Sequence, residues 1–194
     1  MIELYTTTYN ESYLLPYMVS FYRERIPEIK IHIYDNGSTD NTVQIATELG
    51  CSVHSFDTNG EIRDDLLLEF KNTVWKNSVA DFVIVVDVDE WIDLKPEHFK
   101  GSTIIRAEGY DMVADEGQNP DQITDGVRSF MSDKTCVFDP KFIRAMDYSP
   151  GAHLCNPNGY LKYPDTAPKL YHMKYLSEQF LIDRYKSFAL RLSE

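Results

Sequence analysis

Basic residues are scarce in this 194-residue chain. Its 19 lysines and arginines stand against 31 aspartates and glutamates, a formal net charge of −12. That balance lacks the basic footprint that a nucleic-acid backbone requires, so nucleic acid is excluded as the main partner. It leaves room for a nucleotide, provided a divalent cation bridges carboxylate and phosphate. Long apolar runs are also missing. The longest, residues 82–86, falls far short of the roughly 20 residues a membrane helix needs, so no membrane span is expected. Cysteine is sparse as well. Cys51, Cys136 and Cys155 are far apart and lack C-x-x-C spacing, which argues against a disulfide framework or a zinc site and for small buried thiols. Met1 runs straight into a strand-like segment, with no basic and apolar leader pattern. There is no internal repeat and no low-complexity tract. The 43% hydrophobic content is enough to build the core of one domain spanning residues 1–194.

Residues 2–8 form the first expected strand, and Thr8-Tyr9-Asn10-Glu11 its exit loop. Leu14, Leu15, Met18, Val19 and Tyr22 recur at helical spacing, predicting an amphipathic helix over 12–25 that Pro27 stops. A strand over 30–35 follows. Gly37 supplies the turn, Ser38 or Asp40 caps a helix bearing Val43, Ala46 and Leu49, and Gly50 ends it. A strand over 51–56, a helix over 63–78 and a continuous apolar strand over 82–87 complete the pattern. Strand–helix alternation of this kind implies an α/β fold with a largely parallel sheet. Beyond Trp91 the rhythm breaks. Short strands are expected at 103–106, 127–131, 135–138 and 170–175, loops at 111–126 and 149–168, and a helix at 177–192. The helical pattern is still running where the chain stops, which leaves room for further domains of the same polypeptide.

Two acidic signatures close strands in this reading. Asp87-Val88-Asp89-Glu90 follows the most apolar strand, and in an extended segment residues i and i+2 point the same way. Both carboxylates can then reach one cation, and oxygen ligands suit Mg²⁺ or Mn²⁺ that takes the rest of its shell from phosphates and water. Asp35-Asn36-Gly37-Ser38-Thr39-Asp40 ends the second strand. Its glycine is third, not sixth, which excludes an EF-hand calcium loop. In an open α/β sheet, ligands bind at such carboxyl ends of strands.

Thr8-Tyr9-Asn10-Glu11, Asp35 through Thr42 and Asp87 through Glu90 stand in the order and spacing of the GT-A glycosyltransferases, and the chain resembles family 2 and its relatives in bacteria and large DNA viruses. The likeness is good over residues 2–93. It is looser beyond, through Ser132-Asp133-Lys134, Pro150-Gly151-Ala152-His153 and Leu170-Tyr171-His172. The resemblance implies a central mixed, mostly parallel sheet flanked by helices, with residues 1–93 binding a nucleotide sugar and 94–194 completing the metal and acceptor sites. It implies a UDP-sugar donor, a glycan or other hydroxyl acceptor, Mn²⁺ or Mg²⁺ as cofactor, and inverting transfer of a hexose. Residue by residue, Thr7, Thr8 and Tyr9 would border the base and Asp35 would accept from its N3–H. Glu11, Arg63, Lys71, Asp87 and Val88 would complete the donor contacts. Asp87 and Asp89 would hold the metal, with His172 as the histidine ligand and His153 its competitor. Asp133 is the first choice for general base, with Asp115, Glu116 and Asp147 as alternatives; His153 is the other catalytic candidate. Trp91 is a candidate for stacking on sugar. The sequons at Asn10 and Asn36 fall in the suspected ligand site, where glycans would block it, which favours a cytoplasmic location, the host's for a viral protein. Two other readings stay open: a sugar-nucleotide nucleotidyltransferase, although residues 7–11 are not a glycine-rich basic loop, and a nucleotide-sugar-binding module without catalysis.

Overall fold

A computed structural model describes residues 1–192. The first half alternates β1 (Ile2–Thr8), α1 (Leu15–Arg25), β2 (Lys30–Asp35), α2 (Thr42–Glu48), β3 (Ser52–Ser55), α3 (Asp64–Thr73) and β4 (Phe82–Val85). The strands lie in the order β3-β2-β1-β4, and every pairing among them is parallel. Parallel neighbours need a crossover connection, which the helices supply. Register then places the site. Thr8 lies opposite Asp35 and Tyr5 opposite Val85, so the carboxyl ends of β1, β2 and β4 emerge along one edge.

Successive side chains on a strand face opposite sides, and here they feed two cores. Leu4 and Ile84 enter one, while Tyr5, Val83 and Val85 enter the other. Leu15, Met18, Val19 and Tyr22 form the buried stripe of α1 against the first core. Phe70 of α3 and Trp75 just beyond it pack into the second. All four residues of β4 are buried, which is why it reads as an unbroken apolar run. Each such side chain withdrawn from water contributes about 1.5–3 kcal/mol.

The second half contains β5 (Glu90–Ile92), α4 (Pro96–Phe99), β6 (Ile104–Val113), β7 (Gly126–Arg128), β8 (Lys134–Phe138), β9 (Ile143–Ala145), β10 (Asn158–Gly159), β11 (Lys169–Tyr175) and α5 (Glu178–Ala189). β8 joins the sheet antiparallel to both β4 and β6. β6 pairs parallel with β11, and β5 closes that edge antiparallel to β11. The fold is α/β with helices on both faces of a mixed sheet, its parallel block made by the first four strands. Among the described residues, no helix is long and apolar enough to cross a membrane.

Several expected elements are corrected. The strand expected at 103–106 is β6, ten residues long, so the loop expected at 111–126 begins as strand, passes through a 3₁₀ turn at Pro120–Gln122 and ends in β7. Arg106 and Glu108 alternate outward from β6 and disguise it. Gly109 is required there, because a Cβ would lie 2.4 Å from the backbone of Ser132. Residues 127–131 are strand only to Arg128, and Phe130–Ser132 is a 3₁₀ turn. The third helix stops at Thr73. β5 and the β9–β10 pair fall where no strand was expected. Of the three free cysteines only Cys136 is buried.

Candidate active site

A cleft of about 480 Å³ opens at the carboxyl ends of β1 and β4. Thr7, Thr8, Tyr9 and Glu11 line it from the end of β1, Lys71 from α3, and Asp87 through Glu90 from the segment after β4. His153 lies on a loop wall, His172 and Lys174 come from β11, and Leu181, Arg184, Tyr185 and Phe188 come from α5. The strand period explains β11. His172 and Lys174 face this cleft, while Tyr171 and Met173 face a separate hollow on the other side of the ribbon.

The loops that form the near wall clamp each other. Asn10 takes a left-handed conformation (φ 55°), which asparagine tolerates, and its Oδ1 accepts from the Thr39 and Asp40 amides at 2.7 and 3.3 Å. The Glu11 amide donates to Thr42 Oγ1 at 2.8 Å, and the Ser12 amide to Asp40 at 3.2 Å. Asp40 also accepts from the Thr42 amide at 2.9 Å, but the N-cap of α2 is Asn41, without a side-chain cap hydrogen bond, rather than Ser38 or Asp40 as expected. Asp35 is occupied by its own turn. Its Oδ2 accepts from the Gly37 and Ser38 amides at 3.1 and 3.0 Å and its Oδ1 from Thr8 Oγ1 at 3.2 Å, and its neighbour Asn36, not Asp35, lines the cleft.

The floor is a knot of charge. Lys134 is fully buried, and its ammonium donates to both Glu90 oxygens at 2.7 and 2.5 Å and to Asp87 Oδ2 at 3.3 Å. Lys71 donates to the same Asp87 oxygen at 2.8 Å. Burial disfavours the Asp87 charge, but Lys134 and Lys71 outweigh it and hold its carboxyl well below the usual range. Residues 87–90 are a turn, with the Glu90 amide donating to the Asp87 carbonyl at 3.0 Å, rather than the extended segment expected. Both aspartates still reach the cleft, but different cations hold them.

Asp89 belongs to the opposite wall. Its Oδ2 accepts from Arg184 at 2.9 Å and lies 3.5 Å from His172 Nε2. Burial opposes its charge, yet Arg184 and His172 bring its pKa down to about 2. His172 is itself turned by Asp111, 3.1 Å from Nδ1. Burial works against its charge, but Asp89, Glu90 and Asp111 lift its pKa to about 8. Arg184 also pairs with Glu11 at 3.2 Å. Burial raises Glu11 to about 7, against the pull of Arg184.

A divalent cation fits this donor set. Among the described residues, no three of His, Cys, Asp and Glu converge as a ready-made metal site. Carboxylate and imidazole donors 3.5 Å apart nevertheless suit ligands about 2 Å from a shared ion, with other positions open to phosphate and water.

Besides Asp35, three expected site residues stand outside the cleft. Asp133 does not line the cleft. Its carboxylate accepts from Arg128 at 3.0 Å, Arg106 at 3.2 Å and the Gly109 amide at 2.9 Å, and a carboxylate with three donors and a lowered pKa is a poor proton acceptor. Arg63 pairs with its neighbour Asp65 at 2.6 Å on the surface. Trp91 is buried on the reverse side of the ribbon, donating to the Val88 carbonyl at 2.8 Å. His153 lines the cleft; its Nδ1 is buried without a hydrogen-bond partner among the described residues, and burial lowers its pKa. Sequence reasoning missed Arg184 and Lys134. A lysine opening the buried apolar strand β8 was a usable signal; one arginine on an amphipathic helix was not.

An acidic cleft at the carboxyl ends of parallel strands stands where open α/β sheets bind their ligands. Residues 4–119 match Glycosyl transferase family 2, and the chain belongs to that family. It is 29% identical over 85 residues to protein RfbJ of Shigella flexneri, an alignment covering 44% of this chain and 61% of RfbJ. Among solved structures, S. aureus TarS superposes with a TM-score of 0.49 at 19% identity, over 97% of this chain and 38% of TarS. Glucosyl-3-phosphoglycerate synthase from Mycobacterium tuberculosis, solved with Mn²⁺, UDP and phosphoglyceric acid, gives 0.46 at 14% identity, over 79% of this chain and 61% of that one. The chain therefore spans less than two thirds of these relatives.

Proposed function

We propose that this domain transfers a hexose from a UDP-sugar to a hydroxyl group of a carbohydrate or other acceptor, with a divalent cation and with inversion. The observation that carries this reading is the juxtaposition of Asp87, Asp89 and His172 with Thr7, Thr8, Tyr9 and Glu11 in one strand-end cleft. Thr7, Thr8 and Tyr9 border the nucleoside, with Asp35 bracing Thr8 from behind. Asp89 and His172 hold Mn²⁺ or Mg²⁺, with Asp87 beside them. The bound cation supplies Lewis acidity, neutralising charge on the departing diphosphate. Lys71 adds a buried positive charge on the same side.

The acceptor hydroxyl must lose a proton opposite the leaving group. His153 suits that task better than Asp133, since it lines the cleft while Asp133 does not. One experiment tests the reading. UDP should raise the melting temperature only with Mn²⁺, and Asp89→Asn should abolish that response and lower turnover at least about 100-fold, near 3 kcal/mol. His153→Asn should keep UDP binding and lose turnover. A protein whose melting ignores every nucleotide, or an Asp89→Asn variant that responds like the parent, would overturn the assignment.

A further inference from the structure

Helix α5 contains no buried residue, yet it supplies Leu181, Arg184, Tyr185 and Phe188 to the wall of the donor cleft. It is fastened near its ends. At its start, which Ser177 caps by accepting from the Phe180 amide at 3.0 Å, the Phe180 ring packs on the first core and beside Tyr13. Beyond its end, the Arg191 carbonyl accepts from the Ile62 amide at 2.8 Å, and the Arg191 guanidinium lies 3.6 Å from the centre of the Tyr9 ring. Between these ties, Arg184 reaches into the cleft, 2.9 Å from Asp89 Oδ2 and 3.2 Å from Glu11. The Asp89 oxygen it holds is also the one that faces His172 Nε2 at 3.5 Å.

A divalent cation held by Asp89 and His172 would compete with Arg184 for that oxygen. A guanidinium at hydrogen-bond distance and a divalent ion at about 2 Å would put three positive charges around one carboxylate atom, at separations where like charges repel strongly. We propose that Arg184 is the resident counter-cation of the metal site. In the ligand-free protein it neutralises Asp89; a divalent cation displaces it, and because α5 carries the guanidinium, the same exchange loosens α5 from the mouth of the cleft where the nucleotide enters. Arg184 is a positioning residue in this account. The displaced guanidinium stays near the cleft, a single positive charge available to the diphosphate. The exchange rests on the assignment of Asp89 as a metal ligand.

The test is Mn²⁺ titration without nucleotide, followed by paramagnetic resonance of free Mn²⁺, on the parent protein, Arg184→Gln, Arg184→Lys and Asp89→Asn. Removing the competitor should tighten Mn²⁺ binding about ten-fold in Arg184→Gln, a typical coupling between two linked ligands. Arg184→Lys, which keeps a charge on a shorter reach, should fall between. Hydrogen exchange across residues 178–189 should quicken when Mn²⁺ is added to the parent protein. Unchanged or weaker Mn²⁺ binding in Arg184→Gln, or exchange in α5 that ignores Mn²⁺, would overturn the competition while leaving the metal site standing. A parent protein that binds no Mn²⁺, or an Asp89→Asn variant that binds it as well as the parent, would overturn the metal site and the exchange with it.

Discussion

Two kinds of cation hold the acids of this one cleft. On the floor, Lys134 is fully buried on a sheet strand and bridges Glu90 and Asp87, with Lys71 completing the knot. On the wall, Arg184 comes from a helix with no buried residue and bridges Asp89 and Glu11. The floor charges are tied to the core, since β8 is buried along its whole length. The wall charge is tied only to what α5 touches. The two sets of cations thus do different things: the lysines hold the turn that presents the acids, and the arginine occupies Asp89, the acid we propose as a metal ligand. Where a counter-charge is anchored decides whether it is part of the scaffold or can be replaced.

The sharpest way to break that comparison is to remove the floor. Lys134→Met leaves Glu90, itself buried, with no cation. Losing one partner of a buried pair costs about 3–5 kcal/mol, because the remaining charge stays desolvated. Denaturant unfolding should show that loss. The double variant Lys134→Met/Glu90→Gln should regain part of it, since the uncompensated charge is gone. A single variant within about 1 kcal/mol of the parent would mean that the floor is no more structural than the wall.

A second comparison lies in Asp133, whose carboxylate is buried between Arg128 and Arg106 outside the cleft. Burial opposes its charge, but Arg128, the Gly109 amide and Arg106 hold its pKa below the ordinary 3.8. A lowered carboxylate contributes stability that is complete above its unfolded pKa and is lost as the pH falls through its folded value. Asp133→Asn should therefore cost about 1.5–3 kcal/mol at neutral pH, the range for hydrogen bonds to a charged group. The gap from the parent should shrink as the solution is acidified below pH 3.8. A gap that is the same at pH 7 and in acid would show that packing, not charge, holds this loop.

The parallel half was legible because its physics is local. Strands covered on both faces read as apolar runs, α1 shows its stripe, and Asp35-Asn36-Gly37 and Asp87-Val88-Asp89 mark the ends of strands. The other half depends on contacts distant in sequence. β6 hides behind Arg106 and Glu108, which alternate outward, and behind Gly109, whose lack of a side chain serves Ser132 more than twenty residues away. Asp133 looked like a free acid because its arginine partners lie on β6 and β7. His172 was visible as a histidine on a strand, but its face follows only from the pairing of β11 with β5 and β6. Arg184 had no local mark, since a cation on the polar side of an amphipathic helix looks like any other.

The smallest expected effect completes the comparison. Arg184→Gln also takes a cation from a buried acid, yet it should cost the ligand-free protein only about 1–2 kcal/mol, well under the 3–5 expected for Lys134→Met. Two features soften the loss. Asp89 keeps His172, whose Nε2 lies 3.5 Å from its Oδ2. Glu11, raised to about 7 by burial, can take up a proton once its arginine is gone, so only one acid stays charged. Glu90 has no such second partner beyond the lysine and one backbone amide. The two variants should be compared by urea unfolding at neutral pH, first without and then with Mn²⁺. The added cation should narrow the deficit of Arg184→Gln, because it binds the folded state at the acid left exposed, and should leave most of the deficit of Lys134→Met in place. Equal losses in the two variants would show that α5 is as firmly built into the scaffold as β8.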